Sequence, residues 1–385
     1  MMKLYSTGKP HGFKRDVIGR CTRVLLPGAQ NEDQILLVGR ESYGKSQYFG
    51  CAAILTDKSF DGAEGELPTG VPMISGIESL DYLEEGDIVR LAGSNGQIKS
   101  LFRVNSTHNV LFATDNCNSH CVMCSQPPKK KDDSFLIEEN RRLIRLIDRG
   151  TKNIGISGGE PTLLKESLFA IMRDLKEYLP DTDVTMLSNG RMFCYRTFAE
   201  KFAAVDHKRF VTAIPLYSDT PEIHNNVVQA RNAFAETMRG YYNLGELRQR
   251  IEVRVVLHAL TYKRLPKLAE FIYRNLPFVE HIALMGLEIV GYAKKNQAEL
   301  WIDPFDYQKE LSEAVEFLSF RGMNVSIYNI PLCVLPRGLW GFARKSISDW
   351  KNVYADECSK CTVLAQCGGF FKWSPEVRSA HIHAI

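Results

Sequence analysis

Apolar positions along this chain fall into two rhythms. Over the first hundred or so residues they come in short runs cut by turn signals, at 34–38, 52–55, 87–91 and 98–104. Asn95-Gly96, between the last two runs and flanked by alternating residues, predicts a hairpin. Residues 1–105 therefore read as a β-rich N-terminal domain. From about Leu111 the pattern becomes apolar strand, turn and amphipathic helix, repeated. Strands are predicted at 111–114, 153–157, 183–188, 209–215, 252–258 and 281–285, and helical periodicity covers 137–149, 164–179 and 227–244. Strands alternating with helices imply βαβ units and a parallel sheet. Six of them predict an α/β fold, a partial (β/α)6 TIM-like barrel over 106–322. A further helix at 307–320 and an apolar stretch at 324–330 lead into a cysteine-rich C-terminal extension, 323–385. No internal repeat or low-complexity segment interrupts this order.

Composition narrows the class without changing that picture. The 385 residues, 44% hydrophobic and 24% charged with a formal net charge of +3, describe an ordinary globular chain. Disorder, collagen and coiled coil are excluded. The near-balance of charge leaves no domain-wide basic footprint for nucleic acid, and Lys129, Lys130 and Lys131 read as a solvated loop. No uncharged apolar run reaches 18 residues, and the first sixteen contain no apolar signal core, so a cytoplasmic chain without a membrane span is expected.

Cysteine carries the chemistry. Ten in 385 residues are too sparse for a disulfide scaffold, and clustering favours metal. Cys117, Cys121 and Cys124 form C-x3-C-x2-C. Cys358, Cys361 and Cys367 form C-x2-C-x5-C, with Cys333 as a candidate fourth member. Cys21, Cys51 and Cys194 stand alone and read as small buried apolar residues. The first group follows the first barrel strand, on the loop where α/β barrels place active sites. An iron-sulfur cubane takes four ligands, so three on one loop leave one iron open to a small molecule. The alternative is a three-cysteine, one-histidine zinc site recruiting His120. After the second barrel strand stands Ser157-Gly158-Gly159-Glu160-Pro161, where glycines permit close approach to the backbone, Glu160 supplies a carboxylate and Pro161 suits a helix start.

The three-cysteine loop after strand one and Gly-Gly-Glu-Pro after strand two together resemble the radical S-adenosylmethionine (radical SAM) enzymes, from about Leu111 to Gly291. The resemblance implies that Cys117, Cys121 and Cys124 ligate a 4Fe-4S cluster, whose fourth iron is chelated by S-adenosylmethionine. By the same resemblance Gly158, Gly159 and Glu160 face the methionine amino group, with Ser157 beside them among the cofactor-binding residues, Ser188 and Asn189 match the position that contacts ribose or carboxylate, and Pro215 and Met285 mark the adenosine site. It implies an enzyme that takes one electron from an external donor and cleaves S-adenosylmethionine to a 5'-deoxyadenosyl radical. Met123 departs from the aromatic residue often found before the third cysteine.

Finer features, Pro215 to Asp219 with His224, Val227 to Arg231 and the tail from Cys333 to Gly369, are similar to the His-Xaa-Ser system radical SAM maturases. That likeness implies a small peptide or protein substrate rich in His-Xaa-Ser repeats. The polar residues Tyr217, Ser218, Asp219 and His224 also fit a hydrogen-bonded turn and helix start. The tail resembles the opening half of a SPASM/twitch-like auxiliary-cluster domain. It implies a second 4Fe-4S cluster on Cys333, Cys358, Cys361 and Cys367, with a four-cysteine zinc site as the alternative and Trp340, Phe342, Phe370, Phe371 and Trp373 as core around it. Another reading of the whole is a radical SAM enzyme acting on a nucleotide, tRNA or metabolite, and a further one is a non-catalytic iron-sulfur or zinc protein. Gly39 to Ser46 satisfies G-x4-G-K-S, but glycine breaks the helix that should follow, so it reads as a decoy. His381 and His383 read as a frayed end, and His207, His258 and His281 as paired surface or strand-end residues.

Overall fold

Eight short strands of the N-terminal region form one mixed sheet. They are β1 (Tyr5–Thr7), β2 (Lys9–His11), β3 (Val17–Thr22), β4 (Gln34–Val38), β5 (Ala53–Asp57), β6 (Met73–Ile77), β7 (Ile88–Leu91) and β8 (Gln97–Phe102), in the order β1-β8-β7-β3-β4-β5-β6-β2. The computed structural model describes residues 4–26, 31–39, 50–58, 70–346, 348, 352–371 and 377–385. The four apolar runs of the sequence became β4, β5, β7 and β8. In β4 the run is continuous because both faces are covered: Ile35 and Leu37 join one buried cluster, Leu36 and Val38 another. The Asn95-Gly96 turn joins β7 and β8 antiparallel. Gly96 has φ 68, and a Cβ there would lie 2.0 Å from the Gly8 carbonyl oxygen, so glycine is required twice over. β1, β2, β3 and β6 lacked a legible signal. They are short or interrupted by Gly, Arg or Pro, and pairing partners distant in sequence create them.

A second sheet runs in chain order through β9 (Asn109–Phe112), β10 (Asn153–Ser157), β11 (Asp183–Leu187), β12 (Phe210–Pro215), β13 (Arg250–Leu257), β14 (His281–Gly286), β15 (Val325–Tyr328) and β16 (Ala343–Arg344). The pairs from β10 to β16 are all parallel. β9 and β16 stand at opposite ends of the order, so the array is an α/β partial barrel. It has eight strands where six were expected: β15 lies in the apolar stretch at 324–330, and β16 is two residues long and left no pattern. The first six coincide with their predicted positions to within two residues.

Between the strands lie α1 (Phe135–Leu146), α2 (Glu166–Tyr178), α3 (Arg196–Ala204), α4 (Pro221–Val228), α5 (Ala233–Glu246), α6 (Leu265–Asn275), α7 (Tyr292–Lys295), α8 (Gln297–Leu300) and α9 (Gln308–Phe320). The single helix expected over 227–244 is two. Gln229 (φ 57) and Asn232 (φ 58) adopt left-handed backbone, which ends α4 and delays α5. Among the described residues no helix is long and apolar enough to cross a membrane.

By internal packing the chain divides into two units, one of residues 1–111, 137–152 and 174–182, the other of 112–136, 153–173 and 183–385. In the first unit, Glu139 of α1, 6% exposed, takes ion pairs from Arg90 (3.0 Å) and Lys99 (3.2 Å). The second holds every candidate site residue.

Candidate cluster and cofactor site

The loop after β9 carries Cys117, Cys121 and Cys124, and the backbone on either side of it is clamped from four directions. The first clamp is Asp133, 6% exposed, whose carboxylate accepts from Thr114 Oγ1 (2.9 Å), the Asp115 N–H (2.6 Å) and Asn116 Nδ2 (3.2 Å). The second is the Gly-Gly-Glu turn. Ala113 N–H donates to the Ser157 carbonyl (2.7 Å), Gly159 N–H to Thr114 (2.7 Å) and Glu160 N–H to Asn116 (2.8 Å), which carries pairing beyond the strands. A Cβ on Gly158 would lie 2.4 Å from the Thr114 oxygen, and one on Gly159 2.1 Å from that of Asn116. The glycines therefore admit the cysteine loop itself at a distance any side chain would forbid.

The third clamp comes from α4. His120 and Val122 N–H groups donate to the carbonyls of Val228 (3.2 Å) and Val227 (2.9 Å). The fourth follows β14: Tyr292 N–H donates to the Cys124 carbonyl (2.8 Å) and Asn296 Nδ2 to that of Val122 (2.8 Å). Gly291, at φ 62, is needed there because a Cβ would lie 2.5 Å from the Cys124 oxygen. Arg191 adds a side-chain tie, donating to the Asn118 carbonyl (2.5 Å) and Ser119 Oγ (3.1 Å) while pairing with Glu236 (2.6 Å).

Glu160 is fully buried and already saturated. Oε1 accepts from Thr162 N–H (3.0 Å), Thr162 Oγ1 (2.5 Å) and Ser188 Oγ (2.8 Å), and Oε2 from Asn189 N–H (2.6 Å). It thus joins the ends of β10 and β11 and sets Ser188 and Asn189 in place. Burial pushes its carboxyl up, and these donors act against the rise. Asn189 in turn reaches the cysteine loop: Nδ2 lies 2.6 Å from Asn118 Oδ1 and 4.0 Å from Cys117 Sγ. The structure therefore brings Ser157, Gly158, Gly159, Glu160, Ser188 and Asn189 to one side of the three-cysteine loop.

Burial pushes the Cys121 thiol up to about 12, with Cys124 and Cys117 adding to it, and Cys117 up to about 11, with Glu160 and Cys124 adding to it. Cys124 is also raised by burial, and its Sγ donates to the Gln126 carbonyl (3.0 Å). Such thiols become thiolates when a cation joins them. Among the described residues no group of three or more His, Cys, Asp or Glu is arranged to hold a metal ion. A cubane attaches each thiolate to a different iron, so its ligands need not converge on one point as those of a single ion do. The donor set therefore fits an iron-sulfur cluster.

The remaining wall is apolar. Met123, Tyr217, Val227, Val228, Leu287 and Ile289 form one buried cluster against which Cys121 packs, so Met123 fills an apolar position beside the third cysteine. Pro215 ends β12 and Met285 lies in β14, both half-buried. Tyr217 and Ser218 are buried, Asp219 forms a two-pronged pair with Arg264 (2.8 and 2.5 Å), and Thr220 precedes α4 as its cap. His224 accepts the Tyr217 N–H at Nδ1 (3.3 Å), and burial holds it down at about 4.

In the tail, Cys358 and Cys367 are buried while Cys333 and Cys361 are half-buried. Burial raises the Cys333 thiol, as do the neighbouring Cys367 and Cys358 sulfurs, while the His383 backbone lowers it. Leu332 and Gly369 N–H groups both donate to Cys367 Sγ (3.4 Å each). Cys361 N–H donates to the Cys358 carbonyl (3.0 Å). Trp340 Nε1 reaches the Leu332 (3.1 Å) and Leu335 (3.2 Å) carbonyls and so caps the turn that carries Cys333. The C-terminal residues are held in place. His381 stacks on Phe305 with centroids 3.7 Å apart, and Thr362 N–H and Oγ1 donate to the Ile385 carbonyl (2.8 and 2.7 Å).

Three sequence readings change here. Cys21 and Cys51 are buried as expected, but Cys194 is only half-buried, on a turn after β11. His281 is paired, with Glu252 (2.8 Å) and Ser326 (3.0 Å), whereas His258 is wholly buried with neither ring nitrogen hydrogen-bonded. His207 is buried too, with Nδ1 accepting the Arg209 N–H (3.3 Å). Lys131 of the basic run is tied to Asp115 (2.5 Å). Most of Gly39 to Ser46, and Trp373, lie outside the described residues. Asp133, Arg191 and Gly291 were not singled out from sequence. Gly291 alone had a local signal, a glycine after an apolar run; the other two are isolated charges that only the fold aims at the loop.

Residues 111–272 match the model of the Radical SAM superfamily. A GTP 3',8-cyclase of Petrotoga mobilis is 28% identical over 134 residues, 33% of this chain and 39% of its own length. The probable GTP 3',8-cyclase of Pyrococcus horikoshii is 37% identical over 79 residues, 20% and 24% of the two chains. That of Sulfurisphaera tokodaii is 24% identical over 218, 56% and 64%. This chain spans less than two thirds of the length of each of these relatives. Among solved structures, Streptococcus suis SuiB bound to S-adenosylmethionine is similar over 57% of this chain and 50% of its own, at 14% identity and a TM-score of 0.47. The three-cysteine loop, the Gly-Gly-Glu turn and the Ser188-Asn189 corner all lie within the residues, 111–272, that match the Radical SAM superfamily model.

Proposed function

We propose that this chain is an enzyme that cleaves S-adenosylmethionine reductively at Cys117, Cys121 and Cys124 and directs the resulting radical to an organic substrate. The observation that carries this is the clamped three-cysteine loop with Glu160, Ser188 and Asn189 beside it. A 4Fe-4S cluster bound by those cysteines supplies one-electron reduction of the sulfonium. The chain's own residues do the rest. The three thiols ligate, Glu160 holds Ser188 and Asn189 at the loop, Asn189 sets the Cys117 side, and the Met123, Tyr217 and Leu287 wall keeps water from a reactive species.

For the substrate, the relatives named GTP 3',8-cyclase favour a nucleotide or other small metabolite over the His-Xaa-Ser peptide that the sequence motifs imply. The peptide reading keeps one support of its own, the gathering of Cys333, Cys358 and Cys367 in the tail, a place for the second cluster expected of peptide-modifying relatives. The test is anaerobic reconstitution, iron and sulfide analysis, then dithionite and S-adenosylmethionine. 5'-deoxyadenosine from the parent chain and none from Cys121→Ala is expected. Iron-free protein, or equal product from the variant, would remove the proposal.

A further inference from the structure

Three stretches of the second unit meet at the cysteine loop, and all three are free of carboxylates. Residues 116–131, 225–232 and 289–298 contain Lys129, Lys130, Lys131, Arg231, Lys294 and Lys295 and no Asp or Glu. Backbone bonds fasten the second and third stretches to the first. The His120 and Val122 N–H groups reach the carbonyls at the end of α4, and the Cys124 carbonyl takes the Tyr292 N–H at the start of α7. Arg231 lies three residues past the Val228 carbonyl, and Lys294 and Lys295 end the single turn of α7. Lys129 is held by its own N–H on the Asp115 carbonyl (2.9 Å). Lys131 pairs with Asp115 (2.5 Å), and the first acids beyond the stretches are Asp132 and Glu299. The other five cations are exposed, as are Ser125 and Gln126, which follow Cys124 directly.

Charge and texture decide what such a face can meet. The whole chain carries only +3, so the rest of the molecule is net negative, and an acidic partner is steered toward this face and away from the others. Among the described residues, none of the exposed large apolar side chains falls in the three stretches. A stable protein interface is built around buried aromatic and apolar anchors, and a platform for single-stranded nucleic acid interleaves aromatic rings with its cations. A charged face without such anchors instead suits the small, weak and fast encounters of electron-transfer proteins. The reaction proposed above needs one electron from outside the chain. Electron transfer falls off steeply with distance, so its donor has to touch the surface nearest these cysteines.

We propose that Lys129, Lys130, Arg231, Lys294 and Lys295 form the docking face for a small acidic protein that carries a one-electron flavin or iron-sulfur group. This rests on the radical reading above and names the partner that it requires. One electron leaves the donor, which is oxidised by one, and enters the group held by Cys117, Cys121 and Cys124, which is reduced by one. No bond forms or breaks between the two proteins.

The experiment is stopped-flow reduction of the reconstituted full chain, read as bleaching of its visible absorbance. Reduced flavodoxin and reduced 2Fe-2S ferredoxin are the acidic probes, and dithionite is the protein-free control. Bleaching by the probes should slow steeply as salt rises. Lys294→Glu/Lys295→Glu should slow it by about tenfold at low ionic strength, with the difference closing at high salt. Lys208→Glu/Lys309→Glu makes the same charge change at side chains 81% and 82% exposed and away from the loop, and should match the parent. All three proteins should carry equal iron and bleach equally with dithionite. Isothermal titration with the oxidised probes, where no electron moves, should show the same order of binding. A parent chain that dithionite reduces and neither probe does, a rate independent of salt, equal slowing in both variants, or an RNA oligomer bound more tightly than either probe at the same salt would each overturn the proposal. Bleaching by the probes without 5'-deoxyadenosine on adding S-adenosylmethionine would defeat the radical reading and leave the docking face standing.

Discussion

Glu160 shows how much one side chain can hold. Four donors converge on a carboxylate with no solvent exposure, and each buried donor left unmet costs roughly 1–3 kcal/mol. Glu160→Ala should therefore lower the unfolding free energy by about 3 kcal/mol or more, read by urea denaturation. It should also weaken S-adenosylmethionine binding by releasing Ser188 and Asn189, while iron content stays near parental. Unchanged affinity by equilibrium dialysis would remove Glu160 from the site. His258 gives a pH signature. Burial holds it at about 4 against an ordinary 6.5, so the native state keeps it neutral while the unfolded chain takes up a proton below 6.5. Its contribution is complete above pH 6.5, is lost as pH falls toward 4 and is flat below that, on the order of 3 kcal/mol in all. His224, likewise at about 4, adds a parallel loss. His258→Leu should reduce the slope of stability against pH between 6.5 and 4 by about one proton, and an unaltered slope would mean that His258 is already charged.

At the scale of elements, the Gly-Gly-Glu turn and the cysteine loop behave as one piece, because backbone pairing runs past the end of β10 into the loop. Gly159→Ala would put a Cβ 2.1 Å from the Asn116 oxygen, and the atom it meets is backbone, which cannot swing aside. The expected result is a chain that keeps its far-ultraviolet circular dichroism yet reconstitutes with less than half the parental iron at this site. Full iron loading would show that the loop adapts. The same scale explains a misreading. The apolar periodicity of 227–244 is continuous through Gln229 and Asn232, yet the backbone turns left-handed at both. That break brings the end of α4, with the Val227 and Val228 carbonyls, to the cysteine loop.

Across the molecule, the tail gathers cysteines from distant positions. Cys333 lies 25 residues or more before its partners, and its thiol responds to Cys358 and Cys367. Cys333→Ala should leave S-adenosylmethionine cleavage intact and alter only the spectroscopic signal of the second site. An unchanged second signal would place Cys333 outside it, and zinc recovered in place of iron would mark that site as structural.

What the sequence determined by itself was local. Period-2 and period-3.6 patterns located six barrel strands and the helices α1, α2 and α9, because side-chain periodicity follows from backbone geometry. Cysteine spacing within eight residues located the candidate cluster loop, because side chains on one loop need no fold to bring them near. The tertiary structure decided everything that depended on separation along the chain. It turned the two glycines toward the chain's own loop, aimed Asp133 and Arg191 at that loop, buried His258 without partners, and added two strands that only parallel neighbours could create. Those outcomes arise from packing and from satisfying buried polar groups across long loops, and neither leaves a periodic trace in the sequence.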